Sequence, residues 1–171
     1  MQRLLNPKIY NINVLINSGT LSKEDAKYLT QSVDEHKNII ITGPMGSGKT
    51  TILNSLVSYK KTEYIGPIKS ENISINDILL ISPQNRGVVI EEICIPHDVL
   101  SMLLILKIGS NVLTTYPTNK NIREEFLHLF SYSDAKIRDY VAETMNKNEF
   151  IQVKMSMNTD GKRSVYEIQE V

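Results

Sequence analysis

Residues Gly43 to Thr50 read Gly-Pro-Met-Gly-Ser-Gly-Lys-Thr, a complete G-x-x-x-x-G-K-S/T pattern. Glycines in such a loop let backbone N–H groups turn inward around a polyphosphate, and a helix that starts at the end of the loop points its partial positive charge at the same anion. Gly43, Pro44, Met45, Gly46, Ser47 and Gly48 then form the cradle. Lys49 is placed to reach the β- and γ-phosphates, Thr50 to put its hydroxyl on a bridging magnesium ion, and Thr51 to continue the phosphate contacts. The pattern points to a nucleoside triphosphate with Mg2+. A second chemical element is Glu91-Glu92, at the end of an apolar run beginning at Gly87. A carboxylate there could orient a metal-bound or attacking water near the γ-phosphate. Successive strand residues face opposite ways, so one of the two can serve, and periodicity leaves the choice open. Thr114 and Thr115 end the next apolar run, where a hydroxyl could sense the γ-phosphate, although threonine is also simply a good strand residue.

These residues need a strand before the loop, a helix after it and parallel neighbours. Asn38 to Thr42 supplies the buried strand, and Thr51 to Val57 follows with helical spacing. Upstream, Thr20 to Asp25 offers a cap with acidic residues in the first turn, and Ala26, Leu29 and Val33 recur at helical spacing. Downstream, Glu63-Tyr64-Ile65 reads as a short strand ended by Gly66-Pro67, and Ile75 to Ile81 as a short helix. Gly87 to Ile93 and Asn111 to Tyr116 read as buried strands flanking a helix over Asp98 to Lys107. Helices follow over Ile122 to Phe130 and Ala135 to Met145, the second capped by Ser133. Apolar–polar alternation over Phe150 to Met155 and Ser164 to Val171, around Asn158-Thr159-Asp160-Gly161, predicts an antiparallel hairpin. The expectation is an α/β fold: a three-layer P-loop NTPase with a mostly parallel sheet and a C-terminal β-hairpin.

A chain of 171 residues with 41% hydrophobic content supports one core, so a single domain over 1–171 is expected, with 1–19 as extension or linker, 20–149 as nucleotide-binding core and 150–171 as hairpin. Lys plus Arg total 19 and Asp plus Glu total 19, so no net field draws nucleic acid or an anionic membrane, and no direct nucleic-acid binding is predicted. The lone Cys94 has no internal disulfide partner, the longest apolar run, Val99 to Ile108, contains Ser101 and Lys107, and Met1 to Tyr10 lacks a signal-peptide core. A cytoplasmic location is therefore expected.

Read together, these segments resemble the traffic ATPases of type II and type IV secretion, pilus assembly and conjugation, from about Leu15 onward. Leu21 to Leu29 looks like the helix before that family's phosphate loop, and Gly43 to Thr51 is similar to the loop itself. Ile90-Glu91-Glu92-Ile93 falls at the family's Gly-Glu-Ile/Val-Arg motif, a resemblance that selects Glu92 as the functional carboxylate and metal partner. Thr114-Thr115-Tyr116-Pro117-Thr118-Asn119 resembles its Thr-Thr-x-His-Ala-Asn box, which implies Thr115 as a further site residue, and Phe150 to Val171 looks like its closing hairpin. Pro117 stands where the family has histidine and Cys94 where it has arginine, and neither can do the original's chemistry. Only Glu71 stands near the place of the family's Glu-Asp pair, and the N-terminal domain typical of the family is absent from the sequence. The resemblance therefore implies a reduced or diverged member whose activity is weak.

What it implies for function is ATP hydrolysis with Mg2+, catalytic roles for Lys49, Glu92 and Thr115, and metal contacts from Thr50 and Glu92. It also implies a homo-oligomer, a hexameric ring or a monomer when isolated, working with membrane platform proteins of a secretion or conjugation machine and placed at the inner face of the membrane through them. No second cation stands at a recognisable position near the loop, so a shared site is expected, with Arg86 as candidate donor. Two alternatives remain: a nucleotide-binding subunit with little turnover, and a small phosphotransferase. The latter needs several clustered arginines, whereas Arg3, Arg86, Arg123, Arg138 and Arg163 are scattered.

Overall fold

The computed structural model describes residues 11–60, 64–68 and 87–171. The expected helix over Ile75 to Ile81, and with it Arg3, Glu63, Glu71 and Arg86, lies outside the described residues.

Helix α1 (Ile12–Asn17) is capped by the Asn11 side chain, which accepts from Asn13 N, and stands where the sequence predicts an extension. Ser22 caps α2 (Lys23–Asp34) by accepting from Asp25 N at 2.9 Å, the exchange that a serine three residues ahead of an acid favours. Strand β1 (Asn38–Thr42) leads into the phosphate-loop residues and α3 (Lys49–Tyr59). Strand β2 (Tyr64–Ile68) runs on through Gly66 and Pro67 instead of ending there. It lies at the sheet edge, where a residue without an N–H costs no ladder bond on the open side.

Strand β3 (Gly87–Ile90) is shorter than predicted: Glu91, Glu92 and Ile93 leave the strand, because α4 (Pro96–Lys107) begins close behind them. Pro96 sits in the first turn of α4, where its missing N–H is harmless. Strand β4 (Val112–Tyr116), α5 (Ile122–Leu129) and α6 (Ala135–Lys147) follow. The cap of α6 is Asp134, which accepts from Lys136 N at 2.8 Å, in place of the predicted Ser133. Strands β5 (Phe150–Met157) and β6 (Arg163–Glu170) form the hairpin, whose turn places Gly161 at φ 75°.

The sheet order is β2-β3-β4-β1-β5-β6, parallel throughout except for the antiparallel β5–β6 pair. The alternation of β1 divides the core. Ile39 and Ile41 pack with Leu29, Val33, Ile52 and Leu56 under α2 and α3, while Ile40 packs with Met102, Phe126 and Phe150 under α4 and α5. Each of these side chains is fully buried and contributes about 1.5–3 kcal/mol. Three layers result, with the loop at the carboxyl end of the central strand. Tyr28 Oη of α2 and Lys37 Nζ just ahead of β1 both donate to Glu170 Oε1 of β6, at 2.9 and 3.2 Å. These bonds, that from Tyr28 first, hold the Glu170 carboxyl below its ordinary range.

Candidate functional site

The loop between β1 and α3 has a backbone only glycine tolerates. Gly43, Gly46 and Gly48 lie at φ 146°, 80° and 94°. A β-carbon on Gly43 would stand 2.5 Å from the Met155 carbonyl oxygen and 2.9 Å from Ser47 Oγ, so the loop is pressed against β5 with no room for a side chain. Thr51 and Ile52 N–H groups both return to the Gly48 carbonyl, which leaves those of Lys49 and Thr50 at the open end of α3. Ser47 is fully buried, yet its Oγ has no hydrogen-bond partner among the described residues. Glycine backbone, free helix N–H groups and an orphaned hydroxyl fit an anion as the missing partner.

Lys49 is 6% exposed. Its Nζ donates to the carbonyls of Gly43 at 3.1 Å and Pro44 at 3.2 Å, and lies 3.7 Å from Glu92 Oε1. The charge is thus held at the mouth of the loop by weak acceptors and one carboxylate. Thr50 is exposed and Thr51 half-buried, and Met45 at the loop tip is 90% exposed.

Glu92 owes its place to the chain around it rather than to strand alternation. Glu91 N donates to Ile68 O at 3.0 Å, Thr115 Oγ1 donates to Glu91 O at 3.0 Å, and Ile93 N donates to Thr115 O at 2.9 Å. Beyond it, Asp98 Oδ2 accepts from Cys94 N at 2.9 Å and Ile95 N at 3.0 Å. The segment is clamped between β2, β4 and the start of α4, with Glu92 beside Lys49 and Glu91 exposed. Thr115 is fully buried, and its hydroxyl proton is engaged by the Glu91 carbonyl. Thr114, also buried, makes a long 3.4 Å contact to Thr115 O.

Two features escape a sequence reading. Gln152, fully buried on β5, donates to Thr42 Oγ1 at 3.0 Å and Lys120 O at 2.8 Å and accepts from Ile122 N at 3.2 Å, locking the end of β1 to the start of α5. Polar residues in strands usually face water, and no spacing marks this one. The other is Arg163. A β-carbon on Gly48 would meet its Cδ at 3.2 Å and Met155 Cε at 3.5 Å. The expectation that no second cation of the same chain stands near the loop is therefore corrected: the hairpin turns back onto the loop and brings Arg163 with it. Pro117 and Cys94 add no charged group to the arrangement, and the described residues contain no cluster of three or more His, Cys, Asp or Glu able to hold a metal.

Comparison with known proteins bears on the family and the fold. The family described as Type II/IV secretion system protein matches residues 1–77. No curated protein matches the sequence. Among solved structures, the VirB11 ATPase from the Brucella suis type IV secretion system superposes with a TM-score of 0.62 at 16% identity, over 99% of this chain and 57% of that one. The ATPase DotB of Legionella pneumophila gives 0.55 at 15% identity, over 84% of this chain and 47% of that one. DotB of Yersinia pseudotuberculosis gives 0.56 at 14% identity, over 91% and 47%. The chain thus spans about half the length of these structural relatives. The family match over residues 1–77 supports the type II/IV secretion traffic ATPase family, and the solved structures show the same fold.

Proposed function

We propose that the chain binds ATP with Mg2+ at the Gly43–Thr51 loop and hydrolyses it, as the nucleotide-driven part of a machine for protein export, pilus assembly or DNA transfer. The observation that supports this reading best is the meeting of Lys49 and Glu92, 3.7 Å apart, at a glycine loop whose buried Ser47 hydroxyl lacks a partner. Gly43 to Gly48 and the free N–H groups of Lys49 and Thr50 hold the β-phosphate region, and Lys49 exchanges weak carbonyl contacts for phosphate oxygens. Thr50, exposed at the start of α3, and Glu92 hold the metal side. Mg2+ held there by Thr50 and Glu92 would supply charge neutralisation at the polyphosphate. Glu92 orients water at the γ-phosphate, and Thr115 positions Glu92 through the Glu91 carbonyl. A homo-oligomer, with a hexameric ring as its form, and membrane platform partners follow from the family likeness.

The test is magnesium-dependent turnover of the chain and of Glu92→Gln and Glu91→Gln. Glu92→Gln should slow hydrolysis about 100-fold or more while ATP affinity changes little, because the carboxylate acts in the transition state. Glu91→Gln should behave as wild type. Equal effects from both would remove Glu92 from its role. Tight ATP binding without turnover would instead favour a nucleotide-binding subunit, a reading that Pro117 and Cys94 support, and turnover only with a phosphate acceptor would identify a phosphotransferase.

A further inference from the structure

Resting on the reading of the loop as a triphosphate site, we propose that Arg163 is a second phosphate-binding cation supplied by the same chain, at the end of the polyphosphate opposite Glu92.

The placement follows from strand register. Strand β5 pairs with β1 up to Thr42↔Lys154 and then runs on past it, so Met155 lies against Gly43 and Met157 against Gly46, whose β-carbons would meet Met155 O at 2.5 Å and Met157 Cε at 3.8 Å. Arg163 is the register partner of Met157 on β6, which brings its stem over Gly48. A register shift between Lys154 and Met155 adjusts β6 here, and Val165 N donates to Thr20 O at 2.9 Å, fixing the strand to the α1–α2 connection. Arg163 is thus carried by paired strand rather than by a loose turn.

Its charge is uncommitted. Arg123 donates to Asn146 Oδ1 and Asn148 O, and Arg138 to Ser133 O, whereas the guanidinium of Arg163 has no hydrogen bond or ion pair among the described residues. Lys154, further along β5, is neutralised by Glu167 at 3.0 Å. An arginine offers five donors in a fixed fork suited to phosphate, and this one stands against Gly48, the residue that caps α3.

The end of the ligand it meets is set by sheet order. Glu92 and Thr115 reach the loop from β3 and β4 on one side of β1, while Arg163 comes from β5 and β6 on the other. With the γ-phosphate at Glu92, the opposite end is the nucleoside side, so Arg163 meets the α- and β-phosphates, which ATP and ADP share.

Calorimetric titration of ATP and ADP into the chain, Lys49→Ala, Arg163→Met and Arg163→Lys separates the two readings. Arg163→Met keeps a stem on Gly48 and removes the charge, so the melting temperature without nucleotide should hold while affinity for ATP and ADP falls alike, by about 10- to 100-fold. Arg163→Lys should recover part of the loss. Wild-type affinity in Arg163→Met, with binding lost in Lys49→Ala, overturns the role of Arg163 and leaves the loop standing; loss confined to ATP overturns its placement at the nucleoside end. No binding by the wild-type chain overturns the loop reading itself. A test without variants is phenylglyoxal modification followed by mass spectrometry: saturating ADP should shield Arg163, and undiminished labelling overturns the proposal.

Discussion

Lys49 brings a nearly buried charge to the mouth of the loop. Burying an ammonium costs several kcal/mol unless hydrogen bonds and an opposite charge compensate, and here two backbone carbonyls and Glu92 do so only at the ordinary and long ends of contact range. A polyphosphate offers stronger acceptors than these carbonyls. Lys49→Ala should therefore leave the melting temperature within a few degrees of wild type and weaken ATP binding by about 100-fold or more. Calorimetry beside a melting curve checks both halves, and undiminished ATP affinity would take Lys49 and its loop out of the site.

The elements around Lys49 explain why some of the site was legible and some was not. The loop could be read because its chemistry is local: glycine positions, a lysine and a threonine at fixed spacing, a buried strand before and a helix after. The three layers followed from apolar runs that fit strands covered on both faces, as Ile39, Ile40 and Ile41 illustrate. Glu92 could not be assigned from alternation, since the strand ends at Ile90 and Thr115 and Asp98 position the segment through contacts distant in sequence. Gln152 and Arg163 depend on strand register, which no spacing in the chain encodes. The Thr115 clamp yields a prediction of its own. Thr115→Val keeps the shape and β-propensity but withdraws the donor from the half-buried Glu91 carbonyl, at a cost of about 1 kcal/mol in stability. Turnover should fall while ATP affinity is retained, because the metal-side carboxylate loses its support and the loop does not. A kcat–KM comparison beside a denaturation curve reads this, and lost stability with full turnover would make Thr115 a structural residue only.

For the whole molecule, the decisive question is whether one chain completes the site. The fold supplies Lys49 at the Glu92 end and Arg163 at the other, and phosphoryl transfer normally calls for a further cation on the γ-phosphate as charge develops there. Arg86, the expected donor from a neighbour, lies outside the described residues and just ahead of β3, the strand that leads to Glu92. A γ-phosphate cation supplied by a neighbour would couple association of chains to bound nucleotide. Assembly should then be weak and driven by ligand: sedimentation with ATP and Mg2+ should show the mean mass rising with protein concentration, and hydrolysis per chain should rise in parallel. Arg86→Ala should flatten the rise in turnover without altering ATP affinity, since the γ-phosphate cation acts in the transition state rather than in binding. Hydrolysis per chain that is independent of concentration and insensitive to Arg86→Ala would mean that each chain hydrolyses ATP alone, and the shared-site reading would fail.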